Sequence, residues 1–284
     1  MKRFFTLLMV ALVCFGASAQ IAQEAYNKWH QNKFSMFIHF GLYSVYGGVY
    51  NGKPVTFGYS EQIQSFAGIF SDWYADTALQ FDPVKFNADE IVSLAKAAGM
   101  RSIVITTKHH DGFCMFNTAT TEYNSVNATP SKRDYVKELS DACRRGGINF
   151  AMYYSLIDWN FPHAYPISSH NCDFITPQHH EFSKAQITEL LTNYGPVSEL
   201  WFDMGSNQPE QSKELYELVH KLQPDCMVSG RLGNGWYDFA VMADNKYPEG
   251  ALQAPWQSAA SMFDETWSYR SWQKRGDKHE KAME

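Results

Sequence analysis

SELWFDMG, residues 198–205, decides how the fold of this 284-residue chain is read. An apolar run reaches Trp201 and Phe202 and stops at Asp203, just before Met204 and Gly205. Parallel α/β scaffolds present functional groups at the C-terminal ends of their strands. A carboxylate in that place, beside an indole, is therefore a candidate catalytic or binding group. The same residue also fits an Asp that merely closes a strand and caps the next turn.

Stretches of the same kind recur on both sides. FSMFIHF at 34–40 reads as a buried strand with His39 near its end, and SIVITT at 102–107 feeds KHHDGF at 108–113. INFAMYYS at 148–155 opens into a loop holding Asp158, Trp159 and His163. CMVSGR at 226–231 and YDFAVM at 237–242 follow SELWFDMG. Helical patterns separate the strands. One starts at the Asn87 and Glu90 capping box, one at Asp134, one at Thr176 with Pro177, and one at Asn207 with Pro209. Residues 41–82 lack a strong period and read as a long binding loop.

One strand followed by one helix, repeated, predicts right-handed βαβ units and a parallel sheet. Polar groups cluster after every strand rather than at one glycine-rich turn, and neither GxGxxG nor GxxxxGK[ST] occurs. The expected fold is therefore an α/β (β/α)8 TIM-like barrel, not an open doubly wound sheet. Only six strands are found by residue 242, where a complete barrel takes eight, so the barrel is expected to be incomplete at its C-terminal end. The exposed edge left behind predicts association into a homo-oligomer.

Residues 1–19 carry Lys2, Arg3, an apolar run and Ala17-Ser18-Ala19, the pattern of a signal peptide cut before Gln20. Residues 20–284 are then a catalytic barrel domain in an exported protein. Its location is periplasmic or extracellular, or lysosomal in a eukaryote, and it has no membrane span. Loss of the leader takes the formal charge from −6 to −8, which disfavours nucleic acid and acidic membranes as partners. Cys114, Cys143, Cys172 and Cys226 are widely spaced, and a core of this size does not require them paired. Eight Trp, 16 Tyr and 20 Phe supply rings that can fill a core or stack on sugars.

His39, His109, His110, Asp111, Asp203 and Arg231 all follow strands. A metal site is disfavoured, because adjacent side chains on an extended backbone point to opposite faces and His109 and His110 would not share an ion. No cofactor motif is present, so neither metal nor cofactor is expected. Histidines at strand ends can also simply bond neighbouring carbonyls. Acetal hydrolysis suits the set best: it needs one carboxylate at the anomeric carbon and one acid at the leaving oxygen.

IHFGLYS at 38–44, TTKHHDGFCMFNT at 106–118, YYSLIDW at 153–159, ELWFDMG at 199–205 and VSGRLGN at 228–234 together resemble the retaining α-L-fucosidases of glycoside hydrolase family 29. The resemblance covers about residues 26–275. It implies a fucosylated glycan substrate, from which terminal α-L-fucose is released through a covalent fucosyl-enzyme intermediate. Asp203 would be the nucleophile, with Trp201 on the same wall and Arg231 keeping the carboxylate ionised. His39, His109 and His110 would bind fucose hydroxyls, and Tyr154 would lie near the nucleophile. Trp73 would contact substrate, preceded by Asp72 where the family often has Glu. The Glu that serves as acid/base in some members aligns with Gln257, which cannot move a proton. Glu265, in FDETWSY, is the expected replacement, with Glu249 and Asp244 as alternatives. A raised pKa at Glu265, a depressed one at Asp203 and a separation of ~5–5.5 Å would then be expected. The resemblance also implies that a C-terminal β-sandwich, common in the family, is absent here. The alternative is a non-catalytic fucose-binding protein.

Overall fold

A computed structural model describes residues 23–164, 173–263 and 265–273. The leader read over residues 1–19 and Cys172 lie outside the described residues. Five strands form one parallel sheet in chain order: β1 (Ser35–Ile38), β2 (Ser102–Lys108), β3 (Asn149–Ser155), β4 (Glu199–Asp203) and β5 (Met227–Val228). A parallel bridge from Ser229 to Phe239 carries the pairing on to β6 (Ala240–Val241), which pairs in parallel with β7 (Trp256–Gln257). A doubly wound sheet reverses its strand order at a switch point, whereas this order never reverses, as in a barrel. The YDFAVM stretch read as a six-residue strand contributes only the Phe239 bridge and the two residues of β6.

Helices α1 (Ala88–Ala97), α2 (Tyr135–Gly146), α3 (Pro177–Asn193) and α4 (Pro209–Leu222) cover the outside. Their starts follow local chemistry. Asn87, Asp134 and Thr176 each accept a backbone N–H from three residues on, at 3.2, 2.8 and 3.1 Å. For α4 the cap is Gln208 rather than Asn207, since Pro209 fixes the first helical φ and the cap must directly precede it. In α2, Val136, Leu139, Ala142 and Cys143 face inward at helical spacing, and Gly147 stops the helix in the left-handed conformation. None of the described helices is long and apolar enough to cross a membrane. Cys114, Cys143 and Cys226 are buried free thiols.

The period of two along each strand sorts side chains between two layers. Ile103, Ile105, Met152, Tyr154, Leu200 and Phe202 pack outward against the helices. Phe37, Val104, Ala151, Tyr153 and Trp201 point inward, joined by Met227 and Phe239. The helix over residues 23–30 plugs the lower end: Trp29 stacks on Phe239 at 4.7 Å and donates its indole N–H to Glu199 at 2.6 Å. At the upper end, residues 265–273 return to the loop after β1. Ser60 N–H donates to Thr266 Oγ1 (2.9 Å), Ser271 N–H to Gly47 O (2.9 Å) and Trp272 Nε1 to Gly48 O (2.9 Å).

β2 breaks its alternation once. Thr106 pairs with Tyr153 but Lys108 pairs with Tyr154, so Thr107 is one residue too many for the partner strand. Such an extra residue re-aims everything after it. Lys108 thereby turns outward, where its ammonium lies over the Tyr154 ring (4.5 Å) and pairs with Asp158 at 3.3 Å, all three groups buried. Removing one partner of a buried ion pair strands the other charge. Asp158→Ala is therefore expected to cost about 3–5 kcal/mol in denaturant unfolding. Asp158→Asn is expected to cost less, since it keeps an acceptor for the Asn160 and Phe161 N–H groups, both at 2.9 Å.

Candidate active site

At the C-terminal ends of the strands lies a pocket open to solvent. Every strand from β1 to β6 contributes to it, through His39, His109, His110, Tyr153, Asp203, Arg231 and Asp244, while Tyr59, Glu61, Gln62 and Trp267 come from the loop after β1 and the returning segment. Asp203 is 7% exposed and both its oxygens are engaged. Oδ1 accepts from Arg231 Nη1 at 2.9 Å, and Oδ2 accepts from the Tyr153 hydroxyl at 2.7 Å. Arg231 also pairs with Asp244 through its other amino group and lies 4.8 Å over the Trp201 ring.

A depressed pKa was the expectation for Asp203, and the structure reverses it. Burial pushes the carboxyl above its ordinary value, and the Arg231 charge and the Tyr153 and Arg231 hydrogen bonds only hold it back. The three histidines move the other way. Burial, helped by the Arg231 charge, lowers His39 to about 3, and burial lowers His109 and His110 well below the usual imidazole value. All three are neutral at neutral pH, able to both donate and accept. Ser155 gives its proton to Ile157 O (3.0 Å) and so accepts from His110 Nδ1 (2.7 Å), a tautomer assigned from the network that leaves Nε2 as an acceptor. Nδ1 of His39 and of His109 are buried without a hydrogen-bond partner.

His109 and His110 do not point to opposite faces as an extended backbone would require. Their ring centroids are 3.9 Å apart and both line the pocket. The strand ends at Lys108, and a turn closed by Gly112 N–H to His109 O (3.0 Å) folds the two rings to one side. Gly112 sits at φ 77°, and a Cβ there would lie 2.1 Å from Asp158 Oδ1, so only glycine fits. His109 then stacks on Tyr153, at 5.6 Å and 15°.

The structure brings His39, His109, His110, Trp201, Asp203 and Arg231 together and leaves three sequence candidates outside. Tyr154 belongs to the outer layer, where its hydroxyl donates to Gln186 at 2.7 Å; its neighbour Tyr153 is the tyrosine on Asp203. Trp73 is 63% exposed on the helix Ser71–Ala75, edge-on to Phe70 at 5.2 Å, and does not line the pocket. Glu265 is exposed at φ 54°, outside the lining, near enough to Tyr59 and Arg270 for its charge to act on both. Two lining carboxylates stand in its place. Asp244 is 38% exposed. Glu61 is buried, and its carboxylate accepts from Thr266 Oγ1 (2.8 Å), Trp267 N (3.1 Å) and Ser268 N (3.0 Å). Glu61 gives no sequence signal, lying in a loop without period, whereas the strand parity of YYS would have chosen Tyr153 had the inward face been known.

Gln257 does not line the pocket: its Oε1 accepts from Trp201 Nε1 at 2.7 Å. Among the described residues, the one group with metal-like spacing is His180, Glu181 and Glu214 on the outside. Lys184 already fills it, its ammonium 2.9 and 3.0 Å from the two carboxylates.

A family model described as Alpha-L-fucosidase matches residues 16–283. Alpha-L-fucosidase 1 of Arabidopsis thaliana is 31% identical over 215 residues, covering 72% of this chain and 36% of the relative. The plasma alpha-L-fucosidase of Homo sapiens is 29% identical, covering 84% and 54%. The chain thus spans about half or less of the length of these curated relatives. Among solved structures, unliganded alpha-L-fucosidase AlfC from Lactobacillus casei is similar at a TM-score of 0.79 and 35% identity, covering 89% of this chain and 83% of that one. The alpha-L-fucosidase of Vibrio sp. strain EJY3 gives 0.80 and 33%, covering 89% and 47%. By its sequence and by its fold, this chain belongs to the alpha-L-fucosidase family.

Proposed function

We propose that this protein hydrolyses terminal α-L-fucose from glycans with retention of configuration, and that Asp203 is its nucleophile. The observation that carries this reading is a buried carboxylate whose two oxygens are fixed by Arg231 and Tyr153, faced by three neutral histidines, of which His39 and His109 each keep a buried Nδ1 without a partner. Hydroxyls of a sugar supply the missing partners, since a neutral imidazole and a hydroxyl can each donate and accept. Relatives support the substrate: one AlfC structure is a complex with the α-L-fucose product and another holds Fuca(1,6)GlcNAc. Export is part of the proposal, supported by the leader pattern over residues 1–19.

In the first step an Asp203 oxygen bonds the anomeric carbon as the glycosidic bond breaks, and an acid protonates the departing oxygen. In the second, the same residue takes a proton from the water that releases fucose. We assign that acid/base role to Asp244 in preference to Glu265. Asp244 lines the pocket and shares one guanidinium with Asp203, and a retaining pair needs its two carboxyls ~5–5.5 Å apart.

Azide separates the roles. Asp203→Gly is expected to lose activity on the order of 10³-fold or more and to yield β-fucosyl azide on rescue. Asp244→Gly is expected to lose roughly 10²–10⁴-fold on poor leaving groups and to yield α-fucosyl azide on rescue from an activated fucoside. Retained product from Glu265→Gln instead would move the acid/base role there, and fucose binding by the wild type without turnover of any fucoside would mark a binding protein.

The acid limb of kcat/KM should report Asp203, whose ionised form attacks, so that activity falls as pH drops through its pKa. Tyr153→Phe removes a donor to the anion, raises that pKa further and moves the limb to higher pH. Tyr154→Phe, on the outer layer, should leave the limb in place.

A further inference from the structure

Below the pocket, β4 carries a second buried carboxylate on the face that bears Trp201 and Asp203. Glu199 Oε2 accepts from Trp29 Nε1 at 2.6 Å, and Gln257 Nε2 donates to both Glu199 oxygens at 3.2 and 3.0 Å. The amide oxygen of Gln257 in turn accepts from Trp201 Nε1 at 2.7 Å. Glu199 has no ion-pair partner among the described residues, and its charge reaches the buried Cys226 thiol. Burial raises its pKa to about 7, against the Trp29 and Gln257 hydrogen bonds, which lower it. A carboxylate only accepts. It therefore dictates that the Gln257 amide turn its NH2 inward and its oxygen toward the indole.

We propose that Glu199 is a positioning residue for the reaction: through Gln257 it holds the Trp201 indole, and with it the Arg231 guanidinium stacked on that ring, in place against the sugar pocket. The inference rests on the fucosidase reading for its kinetic readout but not for its geometry. Glu199→Gln would place a second NH2 against that of Gln257. Either these two donors oppose one another, or Gln257 flips and opposes the Trp201 N–H. The exchange of both residues, Glu199→Gln with Gln257→Glu, restores every bond in the row: acceptor to Trp29, donor to the neighbouring carboxylate, acceptor to Trp201.

The test compares wild type, Glu199→Gln and the double exchange in the full chain, well below their melting temperatures. The single variant is expected to lose kcat/KM toward an aryl fucoside and affinity for fucose on the order of tenfold, the scale of one mispaired buried donor. Its Trp201 indole N–H resonance should shift in 15N NMR. The double exchange should return all three to within about threefold of wild type or to the wild-type shift. Wild-type kinetics and an unmoved indole in a folded but less stable single variant would make Glu199 structural only and overturn the proposal. So would a double exchange that recovers nothing, or that fails to fold where the single variant also fails. If the wild type turns over no fucoside, the function fails, and the indole resonance and fucose affinity still decide the relay.

Discussion

The pocket is organised around one guanidinium. Arg231 stands three-quarters out of water between Asp203 and Asp244, with its flat face on Trp201. The buried Asp203 and the partly exposed Asp244 could not face one another cheaply without a cation between them, and a cation there without carboxylates would also be costly. Arginine suits this because its planar fork offers separate amino groups to two acceptors and stacks on an indole at once. Strand order follows as a requirement. β4 must deliver Asp203 and Trp201 two residues apart on one face, and the turn after β5 must bring Arg231 beside them.

Two of the three histidines, His39 and His110, meet the same cation from the other side. Neutral imidazoles share the pocket with Arg231 at no electrostatic cost, whereas protonated ones would meet its charge in a site that water hardly reaches. Stacking on Trp267 and Tyr153 fixes the His39 and His109 rings without using up their Nδ1 atoms, while Ser155 holds His110. That leaves polar atoms buried and unmatched, a cost accepted where a ligand completes the pattern.

Much of this was legible in the chain. Four long strands ending in His39, His109, Asp203 and the YYS tyrosines give the barrel order, because apolar runs of that length between capped helices have few other solutions. What failed depended on a choice between faces. Tyr153 and Tyr154 are indistinguishable until the inward side of β3 is known, and the extra residue at Thr107 cannot be seen in SIVITT, yet it sets which way Lys108 and the histidines turn. Trp73, to which the resemblance gives a substrate contact, lies on a short helix with its ring exposed. Glu61 and Trp267 escaped because their only order comes from each other.

That mutual order bears on when the pocket comes into existence. Glu61 meets the backbone of Trp267 across 206 residues of chain, and Ser60, Gly47 and Gly48 are tied to the same late segment. Contacts so distant in sequence form after the local βαβ units have condensed. A nascent chain that has built β1 to β4 already holds Asp203 but has neither the floor that Glu61 provides nor the wall that Trp267 provides. The complete pocket is thus the last feature the fold acquires, and a chain still being made holds Asp203 in an open, unwalled cleft.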